Sequence, residues 1–214
     1  MKDFSVEYSD GYPVYRSIIS GPEISDTLKQ AQSVADSDWQ TYVSSQMLYG
    51  GNHGYVWEFD QVWQRHLTNF LGEINVTIPT HISPEVHMSW LLRLDEDSRP
   101  FIHCHPSAWI SGVIHLEDWD NGGWLTFQGG LQYPSKIGQI FLFDSNHLHW
   151  VEKYDKPEKR YRYSVAFDIF PRGVTKEDLS KLTISPGKKA FGVEFRTKIK
   201  NRLQDQDRFN SLTQ

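Results

Sequence analysis

The rhythm of apolar and polar positions changes near residue 74. Before it, Ile24, Leu28, Ala31 and Ala35 recur at helical spacing. The "SGPE" at 20–23 has the Ser-x-x-Glu order of a capping box, with Pro22 early in the helix that follows. Phe59, Val62, Trp63, His66, Leu67, Phe70 and Leu71 mark one face of a second helix, and "GGNHG" at 50–54 reads as a flexible break between the two. From residue 74 a period of two takes over. Met88, Trp90, Leu92 and Leu94 fall on one face, and His87, Ser89, Leu91 and Arg93 on the other. Further strands are expected at 101–105, 110–116, 123–128, 138–143, 148–153 and 161–169, split by turn-like "DEDSRP", "DWDNGG", "GGLQYPSKIG", "DSN" and "YDKPEK". Short strands separated by such turns point to a β-sandwich or barrel preceded by two packing helices. Two more helices are expected in the tail, at 175–182 and 194–204.

Composition narrows the function classes. The 214 residues suffice for one substantial domain with its own core, and the high aromatic content suits a folded, sheet-rich protein. Cys104 is the only cysteine, so neither an intramolecular disulfide nor a Cys-rich zinc site can form. No signal-like apolar segment opens the chain and no run has the length of a membrane span, so a reducing, cytoplasmic setting without membrane partners is expected. The net charge of −5 argues against broad nucleic-acid binding. That charge is uneven: from Arg172 onward ten Lys/Arg face five Asp/Glu, which reads as a solvated basic extension at 172–214.

Three segments could carry chemistry. In "FIHCHPSAWISGVIHL", His103 and His105 are two positions apart, so on an extended segment both point the same way. Imidazole suits iron, zinc, copper and nickel, yet a pair alone does not close a site. In "FDSNHLHWV", His147 and His149 follow an aromatic-rich strand that could aim a third imidazole at the first two. In "KRYRYSVAFDIF", Arg160, Arg162, Ser164, Ala166 and Asp168 share one face of a strand. A guanidinium and a hydroxyl side by side suit a carboxylate ligand; an exposed edge strand would present the same pattern.

Taken in order, "HCHPSAWISGVIHLEDWDNGGWLTF", "PSKIGQIFLFDSNHLHWV" and "RYRYSVAFDIF" make the chain resemble the 2-oxoglutarate- and iron(II)-dependent oxygenases, in particular a compact prolyl-hydroxylase-like branch with bacterial and phage members. The likeness covers about residues 87–171. It implies a mainly β fold with flanking helices and a double-stranded β-helix (jelly-roll) core. The expected organisation is one domain over 1–171, with helical support at 20–72 and the core at about 74–171. By the same resemblance, His103 is the first iron ligand and His149, rather than His147, the distal one. Arg162 pairs with the far carboxylate of 2-oxoglutarate, helped by Ser164. The implied activity is a dioxygenase reaction consuming 2-oxoglutarate and O₂, with hydroxylation of a small-molecule or peptide substrate. Trp109, Trp124 and Trp150 could wall the pocket, and His115 could face the cosubstrate.

His105 departs from the pattern, because many such enzymes carry Asp or Glu there and complete a 2-His-1-carboxylate triad. His105 itself can ligate, giving a three-histidine site with the metal held at His103, His105 and His149. Alternatively water or chloride takes the position, or a carboxylate such as Glu117, Asp118 or Asp144 does. A cupin-type metalloenzyme is the nearest other enzyme, but no acid follows His105 until Glu117 and Arg162 is left without a role. A non-catalytic jelly-roll binding module is the alternative outside enzymes. A zinc hydrolase fits less well, since no base-bearing motif accompanies the histidines.

Overall fold

The computed structural model describes residues 2–42, 52–73, 83–94, 102–105, 108–119, 122–152 and 161–172. The chain begins with a hairpin, β1 (Lys2–Ser9) and β2 (Tyr12–Ile18). Its two-residue turn is made by Asp10 (φ 51°) and Gly11 (φ 81°). Positive φ at both central positions is what a type I′ turn requires, and Asp-Gly is a preferred pair for it. This hairpin is absent from the elements expected above. Its alternating Phe4, Val6 and Tyr8 remain partly exposed at the rim of the helix-covered core, where Phe4 packs on Tyr15 and Phe70.

Helix α1 (Pro22–Ser33) starts with proline in its first turn, as expected, but Gly21 is the N-cap and the Ser20–Glu23 capping box does not form. Glu23 instead accepts a 2.5 Å hydrogen bond from His66 Nε2 on the second helix, α2 (Gln61–Glu73). The cap of α2 is Asp60, whose Oδ1 accepts from the N–H groups of Val62 and Trp63. Between the helices, where a flexible break is expected, β3 (Gln40–Tyr42) pairs with β4 (Asn52–Val56). The support at 20–72 is therefore part helix and part sheet.

The remaining strands are β5 (Ser83–Leu94), β6 (Ile110–His115), β7 (Leu125–Phe127), β8 (Gln132–Tyr133), β9 (Gln139–Asp144), β10 (His149–Val151) and β11 (Arg162–Arg172). They form two antiparallel sheets, a large one ordered β1-β2-β9-β6-β11-β5-β4-β3 and a small one ordered β10-β7-β8. The N-terminal hairpin thus extends the large sheet beyond the core expected at 74–171. Alternation along the strands assigns the two faces of that sheet. Leu91, Ile114, Ile140, Leu142, Val165, Phe167 and Ile169 face outward and pack under Ile24, Ala31, Trp63, Leu67, Phe70 and Leu71 of the helices. Each such buried side chain contributes about 1.5–3 kcal/mol. On the opposite face, Val14, Phe141 and Phe143 meet Leu125, Phe127 and Tyr133 of the small sheet. The architecture is a mainly β double-stranded β-helix with helices covering one side, as the sequence leads one to expect. The basic extension and its helices, Arg160 and "DEDSRP" lie outside the described residues, apart from Arg172 at the end of β11.

One glycine serves close packing rather than a turn. Gly112, in the middle of β6, lies under the ring of Phe167, and a Cβ there would overlap the ring. Phe167 in turn packs on Phe59, with centroids 5.1 Å apart, just ahead of α2.

Candidate metal centre

The site is built where the edge of the small sheet meets the interior face of the large one. His103 pairs with His149 in an antiparallel bridge at the start of β10. Directly opposed residues on such a pair project to the same side, so the two imidazoles meet, with ring centroids 4.3 Å apart. His105, two residues on, is pinned by its backbone: its N–H donates to Ser145 O at 2.6 Å and its carbonyl accepts from Ala108 N at 2.9 Å. Its ring lies 5.1 Å from that of His103 and 5.3 Å from that of His149. One nitrogen from each of His103, His105 and His149 lies within 4.8 Å of the others.

Partners of the rings determine which nitrogens are available. His149 Nδ1–H donates to His147 O at 2.9 Å, leaving Nε2 with its lone pair. His149 is buried, with Phe143 at 4.6 Å and Phe127 at 6.0 Å between centroids. Burial first, then the neighbouring imidazoles of His103 and His105, hold its pKa well below the usual histidine value. A neutral, oriented imidazole is the form that ligates a metal. His105 Nδ1 faces Asp168 Oδ2 at 3.1 Å, and Ser111 Oγ donates to Asp168 Oδ1 at 2.7 Å. Trp90 stacks on the His105 ring at 5.9 Å. Three convergent imidazoles, those of His105 and His149 oriented by hydrogen bonds, fit a first-row transition metal such as iron(II).

The other histidine of "NHLHW" is used differently. His147 packs between Tyr12 and Phe127, each 5.0 Å away, and its Nε2 bonds to Gln128 O at 3.1 Å. The acids considered for the odd position are engaged elsewhere as well. Glu117 Oε2 accepts from Tyr163 N, Asp118 Oδ1 from Ile137 N and Asp144 Oδ1 from Asn146 N. Among the described residues, the carboxylate that reaches these histidines is Asp168, which is not among the acids expected at the site. The signal was present: the alternation that brings out Arg162 and Ser164 continues through Ala166 to Asp168.

Arg162 and Ser164 lie on the same inner face of β11 as Asp168, and both are buried. Ser164 to Asp168 spans roughly 13 Å of strand. Arg162 donates from Nη1 to the carbonyl of Gly123, part of the glycine turn whose two residues have φ 82° and 63°. Leu92, Leu94, Val151 and Ala166 form an apolar cluster at this end of the interior. His115, opposite Ser164 in the register, is wholly buried. Burial, then the nearby Arg162, hold its pKa well below the usual value. The tryptophans proposed as pocket walls are placed elsewhere. Trp109 belongs to the helix-covered core, Trp124 is 36% exposed, and Trp150 donates to Glu152. The rings around the imidazoles are those of Trp90, Phe127 and Phe143.

No family model matches the chain, and no curated protein matches it. Solved structures do. A prolyl-4-hydroxylase from Pseudomonas putida is 12% identical, with a TM-score of 0.58 over 72% of this chain and 91% of that one. The α-ketoglutarate-dependent epimerase SnoN of nogalamycin biosynthesis is 14% identical, with a TM-score of 0.52 over 85% and 87% of the two chains. The carbocyclase SnoK of the same biosynthesis is 14% identical, with a TM-score of 0.51 over 83% and 87%. The chain thus has the fold of the 2-oxoglutarate- and iron(II)-dependent oxygenases. No helix among the described residues is long and apolar enough to cross a membrane.

Proposed function

We propose that this protein is an iron(II)- and 2-oxoglutarate-dependent dioxygenase that hydroxylates a peptidyl or small-molecule substrate. The observation that carries this reading is the convergence of His103, His105 and His149 inside a double-stranded β-helix. In this reading those three residues hold iron(II), which supplies O₂ activation coupled to oxidative decarboxylation of 2-oxoglutarate to succinate. Arg162 anchors the far carboxylate of the cosubstrate from the same inner face, with the Ser164 hydroxyl beside it. The Gly123 carbonyl holds the guanidinium in place before the anion arrives. Phe127, Phe143 and Trp90 keep water from the metal's surroundings. Residues 1–171 form the catalytic domain and 172–214 a basic extension outside it.

Hydroxylation is the finer part of the proposal, since the fold neighbours carry epimerase and carbocyclase names as well as a prolyl hydroxylase one. The test is spectroscopic. Metal-free protein receives iron(II) and then 2-oxoglutarate under anaerobic conditions, while the visible spectrum is followed. A charge-transfer band that saturates at one equivalent of 2-oxoglutarate is expected. Its absence, with no iron retained, would leave the non-catalytic binding module as the function.

A further inference from the structure

The geometry points to Asp168 as the positioning residue of a three-histidine centre. It holds His105 by Nδ1–H so that Nε2 completes the metal site, and it supplies from outside the ligand set the carboxylate that a 2-His-1-carboxylate triad places on the metal. This inference rests on the metal-centre reading given above.

Asp168 is 4% exposed, and a buried carboxylate is costly unless its oxygens are engaged. Here Oδ1 takes the Ser111 hydroxyl and Oδ2 takes the His105 ring. Its backbone is held on both sides, paired with Ser111 on β6 and Met88 on β5. The carboxylate is therefore a fixed object against which the imidazole orients. A neutral imidazole has one N–H; when that proton sits on Nδ1 and is given to Asp168, the lone pair sits on Nε2. The hydrogen bond also makes that nitrogen a stronger donor to a metal. Trp90 stacks on the ring and limits its rotation. Asp168 is not in the set of groups that share one ion's reach; His105 is. A carboxylate thus stands one hydrogen bond outside the ligand set, with His105 between it and the metal.

The experiment is a cobalt(II) titration of the full chain, followed by ligand-field absorption and calorimetry, for wild type, D168N, H105A and the double variant. Asparagine keeps the size of the side chain and an acceptor for Ser111. Melting of each metal-free variant is recorded alongside. D168N is expected to bind cobalt(II) about 10–100-fold more weakly, as loss of a supporting carboxylate does. H105A is expected to lose at least as much, and the double variant no more than H105A, because Asp168 acts through His105. Wild-type affinity in D168N would overturn the proposal. So would a further loss when D168N is added to H105A, which would make Asp168 a ligand itself or a structural strut. If D168N does not fold, Ser111→Ala carries the test: a smaller loss, again absent in the H105A background, supports the proposal, and unchanged affinity overturns it. Failure of the wild type to bind cobalt(II) or iron(II) would remove the metal-centre reading and this inference with it.

Discussion

His103 and His149 form a hydrogen-bonded antiparallel pair, each N–H donating to the other's carbonyl at 3.0 Å. The bridge joins the segment before β6 to the start of β10, so main-chain pairing brings together two imidazoles distant in sequence.

Removing His149 should abolish the centre. His149→Ala leaves the backbone bridge possible but deletes a buried nitrogen already oriented by His147 O. Iron(II) affinity is expected to fall by more than about 100-fold, beyond the loss typical of a supporting residue. Equilibrium dialysis against iron(II) under anaerobic conditions measures it. Iron retained near one equivalent would show that the distal ligand is another residue.

Arg162→Ala should separate cosubstrate from metal. The variant is expected to retain metal while 2-oxoglutarate binds more weakly by about 2–5 kcal/mol, the cost of losing one side of a buried hydrogen-bonded charge pair. The charge-transfer titration reads both quantities in one sample. Normal cosubstrate affinity would move the anchor to another cation.

Stability should fall on the acid side. His115 is buried, and burial followed by Arg162 lowers its pKa well below 6.5. The unfolded chain therefore takes up a proton near its usual pKa while the folded chain refuses it. Stability is full above about pH 6.5 and declines as the pH drops toward the lowered folded value. In metal-free protein His147 and His149 act in the same direction. Urea titrations between pH 5 and 7.5 should show this slope, and His115→Gln should reduce it by up to about 1.4 kcal/mol per pH unit. An unchanged slope in that variant would place the proton uptake on other groups.

Gly112→Ala should destabilise the helix-covered core. The added Cβ meets the Phe167 ring, which is itself held by Phe59. Overpacking of this kind costs about 1–3 kcal/mol, so the melting temperature should drop by several degrees. A neutral result in a thermal melt would mean that Phe167 can shift freely, against the packing described here.

Local periodicity in the chain determines the strand-rich second half, the two helices and which residues share a face of β11, because period two and period 3.6 are properties of neighbouring residues; that this face is interior comes from the sheet order. The spacing of His103 and His105 likewise announced a shared direction. What the neighbours could not determine was decided by register. The pairing of β6 with β11 puts Ser111 opposite Asp168, and only that alignment, with the bridge at His103, brings an acid 63 residues away against His105. The same holds at α1, where a local capping signal yields to a contact between Glu23 and His66, 43 residues apart. The sheet edge formed by the N-terminal hairpin also depends on tertiary pairing, of β2 with β9. Short-range pattern specifies the elements and their faces; long-range hydrogen bonding chooses which faces meet, and the site lies where they do.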